Sequence, residues 1–182
     1  VTLPASAPLI DFANANSYNN ATSLTVYDDK GQDIAMSLYF QKADNDEWNV
    51  YATANGSTIA GTNAAPQPIT TITFAANGSG PITPSGPVTI DIPSSTNPAG
   101  ALTVPITGLQ LDLSGATQFG SAYGVTDLRQ DGYSAGLLTS IAVGANGVVT
   151  ARYSNGQSKP AGQIEVANFR NPQGLLPMGD NT

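Results

Sequence analysis

The chain has 182 residues, of which 40% are hydrophobic and only 10% are charged, and 13 acidic against 6 basic side chains give a net charge of -7. Because cysteine and histidine are both absent, disulfides, thiolate metal sites and every nucleophilic arrangement with a histidine base are excluded. The negative charge repels phosphate backbones, and no apolar run approaches the ~20 residues that span a bilayer, so we expect neither a nucleic-acid partner nor membrane insertion.

The first clear strand signal is the alternation of apolar and polar residues over 23–28, which is followed by the turn signal Asp28–Gly31. Alternation resumes over 34–41, and a third alternating segment over 48–53 ends at the Asn55–Gly56 pair. Alternating segments with short connections are typical of antiparallel neighbours. The sequence therefore predicts a three-stranded meander.

Four weaker strand candidates follow, and prolines divide this region into short pieces. The candidates are 70–74, 88–92, 102–106 and 109–113, and the prolines are Pro81, Pro84, Pro87, Pro93, Pro98 and Pro105. Because proline cannot donate a ladder hydrogen bond, we expect short strands or edge strands here.

Alternation lapses over 114–124, where Gly, Ala, Ser and Gln dominate, and we expect a domain boundary there. Beyond it, predicted strands over 138–143 and 148–153 flank Gly144–Gly147, whose Asn-Gly pair favours a tight hairpin turn. A further strand is expected over 162–169.

The fold class predicted from this pattern is all-β, with little or no helix. Residues 1–115 are expected to form a barrel-like or sandwich-like domain of short antiparallel strands. Residues 116–182 are expected to form a second, smaller β domain that is linked to the first through 114–124.

Clustered carboxylates are the first candidates for chemistry. The clusters are Asp28, Asp29 and Asp33 in one turn, and Asp44, Asp46 and Glu47 in another. Either set of oxygens could bind calcium, but neither follows the spacing of an EF-hand loop, and Asp in turns commonly bonds its own backbone. A glycosidase pair would have to come from Asp91, Asp112 and Glu165, and their spacing gives no reason to pair them. We predict no catalytic residue, no metal, no cofactor and no enzymatic activity.

Three tyrosines form the other candidate site. Alternation places Tyr27, Tyr39 and Tyr51 on the sheet face opposite Val26, Leu38 and Val50. Aromatic residues on one face either pack across strands, contact another subunit, or stack on a sugar. We favour packing or a subunit contact, with sugar binding as the alternative, and we assign Trp48 to the core with the apolar set.

Two groups of residues resemble bacterial flagellar hook proteins. The first, similar to their outer domain, is Leu24–Gly31, Met36–Phe40, Lys42 and Trp48–Tyr51. The second, similar to the downstream half of their inner domain and in part to rod and other axial proteins, is Asp131–Tyr133, Gly136, Asn146–Gly147, Tyr153–Gly156, Gly162–Gln163, Ala167–Phe169, Gly174–Leu175 and Gly179–Asn181. The chain therefore resembles a fragment of a hook protein, made of the outer domain and the downstream part of the inner one.

This resemblance implies a structural motility protein, exported by the flagellar type III system, that polymerises with identical subunits into a curved, flexible helical tube outside the cell. The tube acts as a universal joint that transmits motor torque to the filament, and the other implied partners are the rod, the hook–filament junction and the hook cap. The inner domain would lack its first half here, so the segment from about residue 116 onward is expected to lack its full set of partner strands. The alternative function is an extracellular carbohydrate-binding or adhesin β-domain.

Overall fold

The computed structural model describes residues 9–165, and within that range it has thirteen β-strands and no helix. None of the described residues therefore belongs to a helix long and apolar enough to cross a membrane. The predicted all-β fold class is confirmed. The strands are β1 Asn20–Tyr27, β2 Asp33–Asp44, β3 Glu47–Ala54, β4 Ser57–Thr58, β5 Gly61–Thr62, β6 Ala65–Pro66, β7 Thr70–Phe74, β8 Pro81–Thr83, β9 Val88–Ile92, β10 Ile106–Leu111, β11 Leu138–Val143, β12 Val148–Tyr153 and β13 Ser158–Gln163.

The chain divides into two compact units between Ala135 and Gly136. The sequence indicated a link over 114–124 instead, and the assignment of residues 1–115 and 116–182 to two domains stays a prediction. Residues 116–135 belong to the first unit because they make their contacts with it.

The first unit is built on a six-stranded antiparallel sheet in the order β1-β2-β3-β7-β8, with β4 paired to β3. The predicted meander is confirmed, since β1, β2 and β3 are consecutive neighbours whose β1–β2 register runs unbroken from Asn20↔Phe40 to Tyr27↔Asp33. The turn between β1 and β2 places Gly31 at a φ of 73°, which glycine adopts without the cost that a Cβ would impose.

Alternation in these strands directs one set of side chains inward. Ile34, Met36 and Leu38 are at most 3% exposed, and Ile90 and Ile92 of the two-stranded β9–β10 sheet pack against them. The first unit is therefore a sandwich of a large sheet and a small one. Each such aliphatic side chain stabilises the fold by roughly 1.5–3 kcal/mol through removal from water.

A second apolar cluster lies at the β2–β3 turn end of the same inner face. It consists of Val50, Ile72 and Phe74, and Trp48 packs against it as the alternation predicted. Leu113 and Ala116, which follow β10, also pack there. The segment that leaves the small sheet thus closes the core at this end.

Strand predictions were least accurate where prolines crowd the sequence. Of the strand predicted over 102–106, Leu102 forms an isolated bridge with Thr96 and Ile106 already belongs to β10. β10 begins three residues before the strand predicted over 109–113 and ends two residues earlier than that strand does. Of the strand predicted over 162–169, only residues 162–163 are in a strand, as the end of β13, which begins at Ser158. Residues 164–165 are not in a strand, and residues 166–169 lie outside the described range.

The second unit contains a three-stranded antiparallel sheet in the order β11-β12-β13, with the predicted hairpin between β11 and β12. Of its described residues only Ala151 is buried, and Ile141 and Val143 are 61% and 59% exposed. The register pairs Ile141 with Ala151 and Val143 with Val149, so these side chains form one apolar face. Most of that face is in contact with solvent.

Candidate subunit-contact surface

The three tyrosines singled out in the sequence lie on the outer face of the six-stranded sheet, opposite the β9–β10 sheet. Tyr39 and Tyr51 are direct partners across β2 and β3. Tyr27 lies on β1 opposite Asp33, whereas the β1 partner of Tyr39 is Ala21, six residues earlier. At about 3.3 Å per residue, roughly 20 Å of strand separates Tyr27 from the other two. The structure therefore brings two of the tyrosines together and leaves the third apart.

Tyr39 is part of an aromatic group that sequence reasoning missed. Its ring lies 4.8 Å from that of Phe12 and 4.9 Å from that of Tyr18, the latter in an edge-on arrangement that aromatic quadrupoles favour. All three side chains are half-buried. The segment that precedes β1 shows no strand alternation, and its two aromatic residues were the only signal that it packs on the sheet.

Tyr51 is buried rather than presented to a partner. It is 7% exposed, and its hydroxyl donates to Oε1 of Gln41 at 3.3 Å, while Nε2 of Gln41 donates to the carbonyl of Ser17 at 2.8 Å. Burial raises the pKa of Tyr51 above its usual value of 10.0. Of the three candidate residues, Tyr27 and Tyr39 keep surface that a neighbouring molecule can contact.

An open depression of about 400 Å³ adjoins Tyr39 on the outer face. Its floor includes Ala35, Ser37 and Thr53, and loop residues Asn97 and Pro98 form one wall. The lining has hydroxyl, amide and apolar groups and no charged side chain. Such a surface suits close packing against another neutral protein surface, since no ionic group has to be desolvated.

Asp28, one of the acidic residues considered for calcium, instead holds the β1–β2 turn to a distant loop. It is 6% exposed; its Oδ1 accepts the N–H groups of Lys30 and Gln32, and its Oδ2 accepts that of Val104 at 2.7 Å. Burial would raise the pKa of Asp28, but these backbone donors and the Lys30 charge lower it below its usual value of 3.8. Both carboxylate oxygens are thus engaged by the chain itself.

The same loop is fixed to the sheet by amide side chains. Nδ2 of Asn97 donates to Oδ1 of Asp33 at 2.8 Å, and Nδ2 of Asn55 donates to Oγ of Ser95, also at 2.8 Å. Asn55 has a positive φ of 49°, and its Oδ1 accepts the N–H of Ala35. The wall of the depression is therefore rigidly attached to its floor.

Three further acidic candidates accept backbone N–H groups. Asp44 accepts the N–H of Asn45, Asp91 that of Gly108, and Asp112 that of Ser114. No group of three acidic side chains suited to a metal ion occurs within residues 9–165. Asp44 and Asp112 bond the chain next to them, as expected of Asp in turns, whereas Asp91 bonds from β9 to β10.

A sequence profile of the family described as "Flagellar basal body protein FlaE D2 domain" matches residues 1–133. This match ends two residues before the first compact unit does.

Similar whole proteins carry related names. The flagellar hook protein FlgE of Salmonella typhimurium is 37% identical over 98% of this chain and 42% of its own length, and that of Escherichia coli K12 is 34% identical over the same shares. The Brucella abortus FlgE is 31% identical over 92% of this chain and 38% of its own. The chain thus spans about two fifths of the length of these relatives. A solved structure, the hook protein FlgE2 of Helicobacter pylori, aligns over 88% of this chain and 35% of its own with a TM-score of 0.46 and 21% identity.

Proposed function

This chain belongs to the flagellar basal body FlaE D2 domain family, and from that membership we propose that it is a structural part of the bacterial flagellar hook. In this role it polymerises with identical subunits into a curved, flexible tube that acts as a universal joint between motor and filament. The observation that carries the proposal is the 37% identity to a named hook protein over 98% of the chain, across both compact units.

The physical character of the chain supports a structural role over a catalytic one. The first unit is a sandwich in which the buried carboxylate of Asp28 is engaged by backbone N–H groups, and its outer face offers neutral polar and aromatic surface. Head-to-tail contacts between such surfaces that do not close on themselves generate a helical polymer.

Location and partners follow from the same proposal. The hook lies outside the cell, its subunits pass through the flagellar type III channel, and the rod, the hook–filament junction and the hook cap are its neighbours. A chain without cysteine is suited to passage in unfolded form, because no disulfide can form before or during export.

A chimaera tests the role directly. The matching region of the Salmonella typhimurium hook protein is replaced by this chain, and cells are examined by electron microscopy and for swimming. We expect hooks to assemble and bend, whereas a matched deletion of the same region gives no functional hook. A chimaera that is exported and stable but forms no hook would contradict the proposal.

The outer face is the proposed subunit-contact surface, with Tyr27 and Tyr39 as its aromatic members and Tyr51 as buried support. Ala35 is exposed in the depression beside Tyr39, so Ala35→Lys places a charge on neutral surface without disturbing a buried contact. We expect it to reduce the number of hooks on cells that carry the chimaera. The control is Ser85→Lys, at an exposed residue that does not line the depression. Equal hook numbers for the two variants would argue against this surface.

The apolar face of the second unit is proposed to pack against further strands of the full-length subunit. Exposed Ile141 and Val143 lie side by side with Val149 and Ala151 on one face of its sheet. Buried pairs of this kind are what stabilise a sheet face, so a covering layer is the arrangement that the exposed apolar area favours.

A further inference from the structure

Residues 119–135 run along the first unit in an unusual way. Every residue from Phe119 to Asp131 is exposed, and residues 122–135 have neither strand nor turn. Between Phe119 and Tyr133 the chain makes no backbone–backbone hydrogen bond with any other part of residues 9–165. It is nevertheless in contact with the sheet at several points, so side chains and close approach must hold it there.

The segment begins at a firm anchor. Gln118 donates from its backbone N–H to the carbonyl of Gly78, and its Nε2 donates to the carbonyl of Asn45 and to Oδ1 of Asp46. Its Oε1 accepts the indole N–H of Trp48. These four bonds fix the chain at the β2–β3 turn, where the second apolar cluster ends.

Beyond the anchor the contacts come from side chains and from close approaches of the backbone. The ring of Tyr123 lies 6.1 Å from that of Phe40, and its hydroxyl is hydrogen-bonded to the side chain of Thr22. A Cβ on Gly132 would lie 3.5 Å from Cβ of Tyr27. Ala135 approaches Gly31, in the β1–β2 turn, so closely that no Cβ fits between them. The segment therefore crosses the unit from one end of β2 to the other.

The segment is bound less firmly than the strands beneath it. It lacks the backbone hydrogen-bond ladder that holds each strand, and its contacts include a ring contact, a side-chain hydrogen bond and two close approaches. A segment held in this way opens at low cost compared with the strands of a packed sheet.

We propose that residues 119–135 form a detachable strap. The strap dissociates from the sheet up to its anchor at Gln118 while the sandwich stays folded. When it is docked, the first unit extends to Ala135. When it is released, the chain between Gln118 and β11 becomes a free tether of about 55 Å or more. The strap supplies extension without unfolding of either sheet, and this property of the chain is independent of whether it forms a hook.

Trypsin cleavage at Arg129 tests the strap, because a protease needs an extended segment that is free of its support. Arg129 is highly exposed, and its ion-pair partner in the described part of the chain is Asp127 at 2.9 Å. At low trypsin concentration the cleavage rate follows the population of the released strap. The cleavage rate at Arg129 is measured by mass spectrometry of the 182-residue chain.

Tyr123→Ala removes the ring contact with Phe40 and the hydrogen bond to Thr22. It should speed cleavage at Arg129 by at least roughly two- to twelvefold, the range expected from loss of the aromatic pair alone. The matched control is Val125→Ala, since Val125 is 46% exposed, lies on the same segment and makes no ring contact. Its cleavage rate should equal that of the parent chain.

A disulfide provides the reverse experiment, since the chain has no cysteine of its own. The Cβ separation at positions 27 and 132 falls in the range of natural disulfides, so Tyr27→Cys with Gly132→Cys should lock the strap. Oxidation should slow cleavage at Arg129, and reduction should restore it. Equal rates in the oxidised and reduced chains, or equal rates for Tyr123→Ala and Val125→Ala, would overturn the proposal.

Discussion

Asp28 shows how a single side chain can join parts of the chain that are far apart in sequence. Its carboxylate receives three backbone N–H groups, two from its own turn and one from Val104. A charged acceptor makes each of these bonds stronger than a neutral one would be. The loop that ends at Val104 also forms a wall of the outer-face depression, so Asp28 helps to shape that surface.

Replacement of Asp28 by Asn should lower the free energy of unfolding by about 1–3 kcal/mol. The amide oxygen can still accept two bonds, but the amide NH₂ then faces the N–H of Val104 and leaves it unsatisfied. Urea titration followed by fluorescence measures the change.

The matched control for this substitution is Asp29→Asn, one residue later and exposed, which should stay within about 0.5 kcal/mol of the parent. Similar losses for both variants would contradict the role assigned to Asp28.

The contribution of Asp28 should also depend on pH. Since the hydrogen bonds lower its pKa in the folded state below the usual 3.8, the unfolded chain binds more protons as the solution becomes acidic. The stabilisation is complete above the unfolded value, near pH 4, and is lost as pH falls through the folded value. Urea titrations at several pH values between about pH 6 and pH 3 should show that the difference in free energy of unfolding between the parent and Asp28→Asn becomes smaller as the pH falls. A difference in free energy of unfolding that stays constant over this pH range would contradict the proposed dependence on the protonation of Asp28.

Residue-scale contacts were the least predictable from sequence. The face of each tyrosine followed from alternation, but the burial of Tyr51 depends on Gln41 and on Ser17 from the preceding segment. The Asp28 contact with Val104 joins residues 76 positions apart, and no local pattern encodes it. The preference of Asp for turns correctly predicted that the Asp28 carboxylate accepts backbone N–H groups, but it did not predict that one of them belongs to Val104.

At the scale of strands and sheets, isoleucine side chains in alternating strands of the two units differ in their burial. Ile34 on β2 is 0% exposed, whereas Ile141 on β11 is 61% exposed, although both sit in alternating strands. The difference lies in what covers each sheet: β9 and β10 cover β2, and among the described residues most of the β11–β12 face is in solvent.

A matched pair of substitutions measures this difference. Ile34→Val should cost about 0.5–1.5 kcal/mol, because it leaves a void in a packed core. Ile141→Val in the same chain should change the free energy of unfolding by less than about 0.5 kcal/mol. Hydrogen exchange of amides in each sheet reports the two effects separately, and a comparable loss at position 141 would mean that this face is covered.

Strands were predicted well wherever alternation ran for several residues, as in β2, β3, β11 and β12. Between residues 93 and 106 prolines and short polar residues produce a loop that hydrogen-bonds through side chains, and the sequence pattern overestimated its strand content. β13 contains Pro160, a residue that the sequence pattern disfavoured in a strand. The strand forms nevertheless because β13 lies at the edge of its sheet, where a missing N–H donor is tolerated.

For the whole chain, the two units differ so much in burial that they should not unfold together. The first has two apolar clusters, and the second has one buried described residue. Trp48 is the only tryptophan and lies in the first unit, so its fluorescence reports that unit alone.

We expect circular dichroism, which sees both sheets, to show loss of strand signal at lower urea concentration than the fluorescence change. Non-coincident transitions are the standard sign that a single two-state description fails. Coincident curves would mean that the two units are energetically coupled.

One feature of the sandwich bears on how such chains diversify. Gln41 on β2 holds Ser17 in the stretch before β1, and Gln118 fixes the stretch after β10 at the adjacent β2–β3 turn. The two stretches that flank the strands of the sandwich are therefore held close together. The strands between them can be enlarged or exchanged over evolutionary time while these two stretches keep the same spacing.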